Sequence, residues 1–220
     1  MKDGRDFGIV YHINEHFADL QEDIEGIESF DAFASSKEKR RAILFSFLQI
    51  GELANQLSKS FLEDYGNPNI KYAIAIRNRI VHGYSTVRDD IVFPTVKQQL
   101  PSLIEGLNVF ARKRYKEMLN DLIGHEVQVL FNASALPASS EFQVGYIEEI
   151  TTLNGRFQDV LFFCEQPFAE IASGMVTDVV TRDNCLNDWL LVVGTGVSLD
   201  KENLGRISSS ARAFLVLQNN

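Results

Sequence analysis

Apolar residues at Val10, Ile13, Phe17, Leu20, Ile24 and Ile27 recur at intervals of three and four, which lays one stripe along a helix and predicts helix over about Asp6 to Ile27. The stretch SFDAFASSKEK interrupts the pattern, and Ser35 or Ser36 stands where a cap for the next helix belongs. A longer helix is expected from about Lys37 to Tyr65. Ile43, Phe47, Ile50, Ala54, Leu57 and Phe61 form one apolar face, and Leu44, Phe45 and Leu48 form a second. A helix with two apolar stripes buries two sides, so the second stripe is either bundle centre or a surface for another copy of the chain. Gly66, Asn67 and Pro68 turn the chain. A third helix then runs to His82 or Gly83, with Asn69 as a candidate cap. A fourth is expected from Asp89 or Asp90 to Leu119, with Pro94 tolerated in its first turn and Pro101 placed to kink it.

From Asn120 the period shortens. HEVQVLF, FQVGYIEEI, RFQDVLFF, MVTDVV and WLLVVG are short runs rich in β-branched and aromatic residues, separated by Asn154-Gly155 and small polar clusters. Only LDKENLGRISSSARAFL reads as helix, through Leu204, Ile207, Ala211 and Phe214. The pattern therefore predicts a two-domain α+β chain: a helical bundle over residues 1–120 and a small β-barrel with a C-terminal helix over 121–220.

Composition narrows this little, since 220 residues at 45% hydrophobic and 23% charged suit one large or two ordinary globular domains. Charge is more informative. Residues 1–120 hold 16 Lys+Arg against 17 Asp+Glu, whereas 121–220 hold 5 against 13. The second half repels polyanions, so any contact with nucleic acid belongs to local basic patches of the first half. No stretch reaches the length of uncharged apolar chain that a membrane span needs, and acidic residues interrupt the N-terminal segment, so a cytoplasmic protein without membrane contact is expected. Cys164 and Cys185 lack metal-ligand spacing and are expected to be small buried side chains.

The chemistry concentrates in RNRIVHGY, Arg77 to Tyr84. Arg77 offers a planar fork of donors suited to phosphate, and His82 can give or take a proton near neutral pH. About 0.2 chance matches to R-x-x-x-x-H are expected in a chain of this composition. On a helix Asn78 and His82 share a face, so the amide is placed to orient the ring. Arg77 and His82 stand roughly 140° apart around the axis, and a second copy from a symmetric partner could complete the site. Glu52, next to Gly51, is either a solvated glutamate or a buried acid that positions a cleft residue. Arg112, Lys113, Arg114 and Lys116 either complement the end of the fourth helix or steer RNA.

The pieces KRRAILFSFLQIGELANQLS, RNRIVHGY and QQLPSLIEGL, within Glu38 to Leu107, resemble the HEPN toxins of the HepT type. The resemblance implies an antiparallel helical bundle that forms a homodimer and acts as a metal-independent endoribonuclease. The R-x-x-x-x-H-x-Y residues of both subunits would line one cleft, with Arg77 and His82 catalytic and Asn78 and Tyr84 on the RNA substrate. It implies no cofactor. It also implies a partner, an MNT-type nucleotidyltransferase antitoxin that adds AMP to Tyr84. Where the family carries a tryptophan-containing stretch ahead of the motif, this chain reads NPNIKYAIAI. The alternative is a HEPN module of the same fold that binds a nucleotide or a partner and cuts nothing.

From Leu122 to Leu217 the order of elements is similar to a short soluble inorganic pyrophosphatase, with VGYI, NGRFQDVLF and TRDNCLNDWLLVV at matching places. That resemblance implies an OB-type barrel. Asp159 and Asp188 match acidic positions, but Asn154 stands where an aspartate is expected, and the basic residues that hold pyrophosphate are missing. Magnesium needs several oxygen ligands and pyrophosphate needs cations, so this half is expected to be non-catalytic, with a magnesium-dependent pyrophosphatase as the remote alternative.

Overall fold

The computed structural model describes residues 3–82, 88–131, 142–164, 170–180, 188–194 and 197–217. The chain divides into two compact units, residues 2–112 and 113–220. The first is helical. It comprises α1 (Asp3–Ile24), α2 (Phe30–Ser35), α3 (Lys37–Gln56), α4 (Lys59–Tyr65), α5 (Pro68–His82), α6 (Asp89–Pro94), a π-helical turn (Thr95–Gln99) and most of α7 (Leu100–Asp121). The stripe of α1 is buried at Val10, Ile13, Leu20 and Ile24 and packs on α3, where Ile43, Leu44, Phe47, Ile50 and Ala54 are buried. Each of the larger side chains contributes about 1.5–3 kcal/mol on leaving water, which makes α3 the centre of the unit. On its other side α3 packs against α5.

The helix expected over Lys37 to Tyr65 is two helices. Leu57 adopts φ −57 and ψ 142 and ends α3, and Ser58 opens α4 by accepting from the Phe61 N–H at 3.2 Å. The reason lies far away in sequence. The carboxylate of Asp6 on α1 is buried, and the Ser58 N–H and hydroxyl donate to it at 2.8 and 2.6 Å. A buried carboxylate requires donors, and the break between α3 and α4 supplies two. Leu57 and Phe61 stay buried across it, so the apolar stripe survives the bend.

Other differences are local. The stretch expected as a break contains α2, capped by Ser29 and anchored by the fully buried Phe33. Ser36 occupies the capping position of α3 without a side-chain capping bond. Before α5 it is Asn67, not Asn69, whose side chain accepts from a backbone N–H, that of Asn69 at 3.0 Å. Pro101 leaves its mark just ahead of itself. In the π-helical turn the Leu100 N–H reaches the Thr95 carbonyl, five residues back. A proline cannot donate to the carbonyl four residues behind it and crowds it, and the helix widens there.

The second unit contains the last turns of α7, five strands and α8 (Lys201–Leu217). The strands are β1 (Glu126–Leu130), β2 (Phe142–Thr151), β3 (Phe157–Phe163), β4 (Ile171–Val180) and β5 (Trp189–Gly194). They close a barrel in the order β1-β2-β3-β5-β4, with β3 and β5 parallel and every other pair antiparallel. A barrel this small leaves no room at Gly145, where a Cβ would meet Val129 Cγ1 at 2.5 Å. On α8, Ile207 and Ala211 are buried in a cluster with Phe142, Leu161, Phe163, Val180, Leu191 and Val193 of the strands. Tyr115 on α7 is buried, and its hydroxyl donates to Gln158 Oε1, while Gln158 Nε2 donates to the carbonyls of Asp188 at 2.6 Å and Asp159 at 2.9 Å. Burial first, then the nearby Asp188 and Asp159 charges, raise the Tyr115 phenol well above its ordinary range. No described helix is long and apolar enough to cross a membrane.

Candidate functional site

The site begins with a missing side chain. A Cβ at Gly51 of α3 would lie 2.5 Å from Cβ and 3.1 Å from Cγ of Arg77, and 3.2 Å from the Ala73 carbonyl oxygen. Ala73 and Arg77 are one turn apart on α5, so a single face of that helix lies against Gly51, with Ile70 and Ile76 buried on either side. Glycine in mid-helix is costly in backbone entropy, and here the close approach of α5 accounts for it.

Arg77 runs its stem over Gly51 and meets the next residue of α3. Its Nη2 forms an ion pair with Glu52 Oε2, and its Nη1 donates to Asn78 Oδ1 at 2.7 Å. The two charged side chains are only 22% and 34% exposed, and Arg77 Nε is buried with no acceptor among the described residues. A partly exposed ion pair of this kind is worth about 0–1 kcal/mol in stability, so its larger consequence is the fixed direction of the guanidinium. Glu52, read from the sequence as either solvated or a buried acid that positions a cleft residue, lies between the two: it is half-buried and paired with Arg77.

Asn78 accepts the Arg77 N–H through its carbonyl oxygen; the expected pairing of its amide with His82 lies outside the described residues. His82 closes α5, five positions after Arg77 on the same helix. The His82 side chain and the whole of Tyr84 lie outside the described residues. The second stripe of α3 divides: Leu44 is buried, Leu48 half-buried and Phe45 61% exposed. Phe45 lies two turns before Glu52, on the same side of α3.

Two of the basic residues near the end of α7 pair locally. Lys113 and Arg114 lie 3.8 and 4.0 Å from the carboxylate of Glu117. In the barrel, Asn154 accepts from the Thr152 hydroxyl and, at 3.3 Å, from the Arg156 N–H, holding the turn that Gly155 completes with φ 75. Among the described residues no group of three or more His, Cys, Asp or Glu is placed to hold a metal ion. Cys164 is half-buried and free, and burial raises its thiol; Cys185 lies outside the described residues. Gly51 and Asp6 had no place in the sequence-level site. The signal for Gly51 was a glycine inside the strongest apolar helix, a mark of close backbone approach.

Residues 13–110 match the family model described as "Ribonuclease HepT-like". The protein named "Putative RNase MJ0127" of Methanocaldococcus jannaschii is 26% identical over 125 residues, which covers 57% of this chain and 94% of that one. "Putative RNase TTE0752" of Caldanaerobacter subterraneus subsp. tengcongensis is 30% identical over 108 residues, 49% of this chain and 88% of its own. "Putative RNase MJ1216", also of M. jannaschii, is 22% identical over 117 residues, 53% of this chain and 89% of that one. No solved structure matches. The family match ends before β1 and contains Gly51, Glu52, Arg77, Asn78, His82 and Tyr84.

Proposed function

The chain belongs, through residues 13–110, to the Ribonuclease HepT-like family, and from that premise we propose that it is a metal-independent endoribonuclease with Arg77 and His82 as its catalytic pair. One observation carries this most: within the family-matched segment Arg77 is seated on Gly51 and its guanidinium is held in a fixed direction by Glu52 and Asn78. The substrate 2′-hydroxyl attacks the adjacent phosphorus and the 5′-oxygen leaves. His82 moves a proton as general base or acid, and the Arg77 guanidinium neutralises the extra negative charge on the phosphorane. Asn78 and Tyr84 contact the RNA.

The site is completed in a homodimer; a spacing of five residues, roughly 140° around a helix, supports this, since one copy does not converge on a single phosphate. The exposed Phe45, in line with Glu52, supports a second copy over that face. A nucleotidyltransferase of the MNT type silences the enzyme by adding AMP to Tyr84. The barrel is an OB-type, pyrophosphatase-like unit without catalysis of its own; its strand order and its parallel β3–β5 pair support that assignment.

Arg77→Ala and His82→Ala are each expected to abolish RNA cleavage in EDTA while leaving helical content and dimer mass unchanged. Undiminished cleavage by both variants removes the assignment. A dimer that binds but never cuts RNA, under any pH or metal condition, identifies the non-catalytic module instead.

A further inference from the structure

Resting on Arg77 as the residue that grips the scissile phosphate, we propose that Glu52 is a latch on it: the Glu52 carboxylate occupies the guanidinium edge that the phosphate takes, and yields it when RNA binds.

The partners of the three guanidinium nitrogens lead there. Arginine binds a phosphate best through two parallel N–H groups on one edge of its fork. In the described arrangement Nη1 is on Asn78, Nη2 is on Glu52, and Nε is buried with no acceptor among the described residues. Both two-nitrogen edges of the fork, Nε–Nη2 and Nη1–Nη2, include the nitrogen paired with Glu52, although the side chain reaches the surface. A phosphate can gain a two-point grip only by displacing an acceptor, and Glu52 is the one that also competes in charge. The geometry makes that displacement feasible. Gly51 fixes the stem of Arg77 at Cβ and Cγ, so the head can turn about its outer bonds while the stem keeps its place. Turning also moves Nε out of a site where it is buried with no acceptor among the described residues, which costs stability. With Glu52 engaged, Arg77 presents little net positive charge to polyanions in general. The latch therefore favours an RNA that supplies a phosphate at this one position over loose electrostatic binding.

The test is RNA binding by the full-length chain, with a 2′-O-methyl oligonucleotide that cannot be cut, followed by steady-state cleavage of the unmodified oligonucleotide. Glu52→Gln keeps the length and an acceptor oxygen but removes the competing charge. It is expected to bind the uncut oligonucleotide roughly fivefold more tightly, the scale of one partly exposed charge pair. KM falls to match and kcat does not rise. The gain in binding is expected to vanish in the Arg77→Ala background, whereas a general loss of negative charge would help both backgrounds equally. Glu52→Ala, which leaves the guanidinium unaimed, lowers kcat, and Glu52→Gln retains more activity than it does. Unchanged or weaker binding by Glu52→Gln overturns the latch, as does a gain that persists without Arg77. Binding to the methylated oligonucleotide needs no cleavage, so a wild-type chain that cuts no RNA but obeys the binding cycle loses the nuclease assignment alone. A chain that cuts RNA but shows no cycle loses the latch alone.

Discussion

At Gly51 a single hydrogen in place of a methyl group decides whether Arg77 can lie where it does. The Cβ of alanine would overlap the Arg77 stem at 2.5 Å and press on the Ala73 carbonyl oxygen at 3.2 Å. Neither is the far end of a flexible chain, so α3 and α5 must separate. Gly51→Ala is expected to destabilise the helical unit by about 1–3 kcal/mol, read as a lower urea midpoint, and to cut RNA cleavage along with it. Gly205, exposed on α8 with nothing near its missing Cβ, gives the opposite sign. Gly205→Ala is expected to stabilise by about 0.4–1 kcal/mol, because the backbone is already helical and only the unfolded chain loses freedom. An equal effect at both positions would mean that helix propensity, and not the approach of α5, governs Gly51.

Among the elements, the break between α3 and α4 shows what apolar spacing can and cannot reveal. The stripe through Ile43, Phe47, Ile50, Ala54, Leu57 and Phe61 is continuous, and every one of these residues is buried. Periodicity therefore predicts the burial and misses the bend, because the bend serves Asp6, a residue on another helix more than fifty positions away. Asp6→Ala is expected to cost about 1–3 kcal/mol by leaving Ser58 donors without their acceptor, measured as a shift in the denaturation midpoint. The strands were legible for the converse reason: each is a short run bounded by its own turn residues, and all five occur where β-branched and aromatic residues cluster. Closure of the barrel, with β3 beside β5, depends on pairings between distant segments and is not written in any one of them. In the site, Arg77 could be found from its motif. The Arg77–Asn78 bond joins neighbours in sequence, which face-by-face spacing does not register.

Over the whole molecule, two units of different chemistry share one chain: a helical unit that carries the ribonuclease-family match and an acidic barrel that carries none of it. The barrel offers its own pH test. Burial holds the Tyr115 phenol neutral in the folded state beyond the ordinary tyrosine pKa of about 10, so the unfolded state releases that proton first. The resulting stability is intact below that pH and declines as pH rises above it. Tyrosinate absorbance is expected to show late-titrating phenols, since burial also raises Tyr65, with the latest component lost in Tyr115→Phe; a titration curve that Tyr115→Phe leaves unchanged in its late part would place Tyr115 in water. For the helical unit the central claim is chemical. It is tested most directly by the ends of the RNA fragments made in EDTA by the wild-type chain. Attack by the 2′-hydroxyl with Arg77 and His82 leaves a 2′,3′-cyclic phosphate on one fragment and a 5′-hydroxyl on the other, and neither end forms with Arg77→Ala. Fragments that carry 5′-phosphates, or cleavage that requires an added divalent metal, would contradict it.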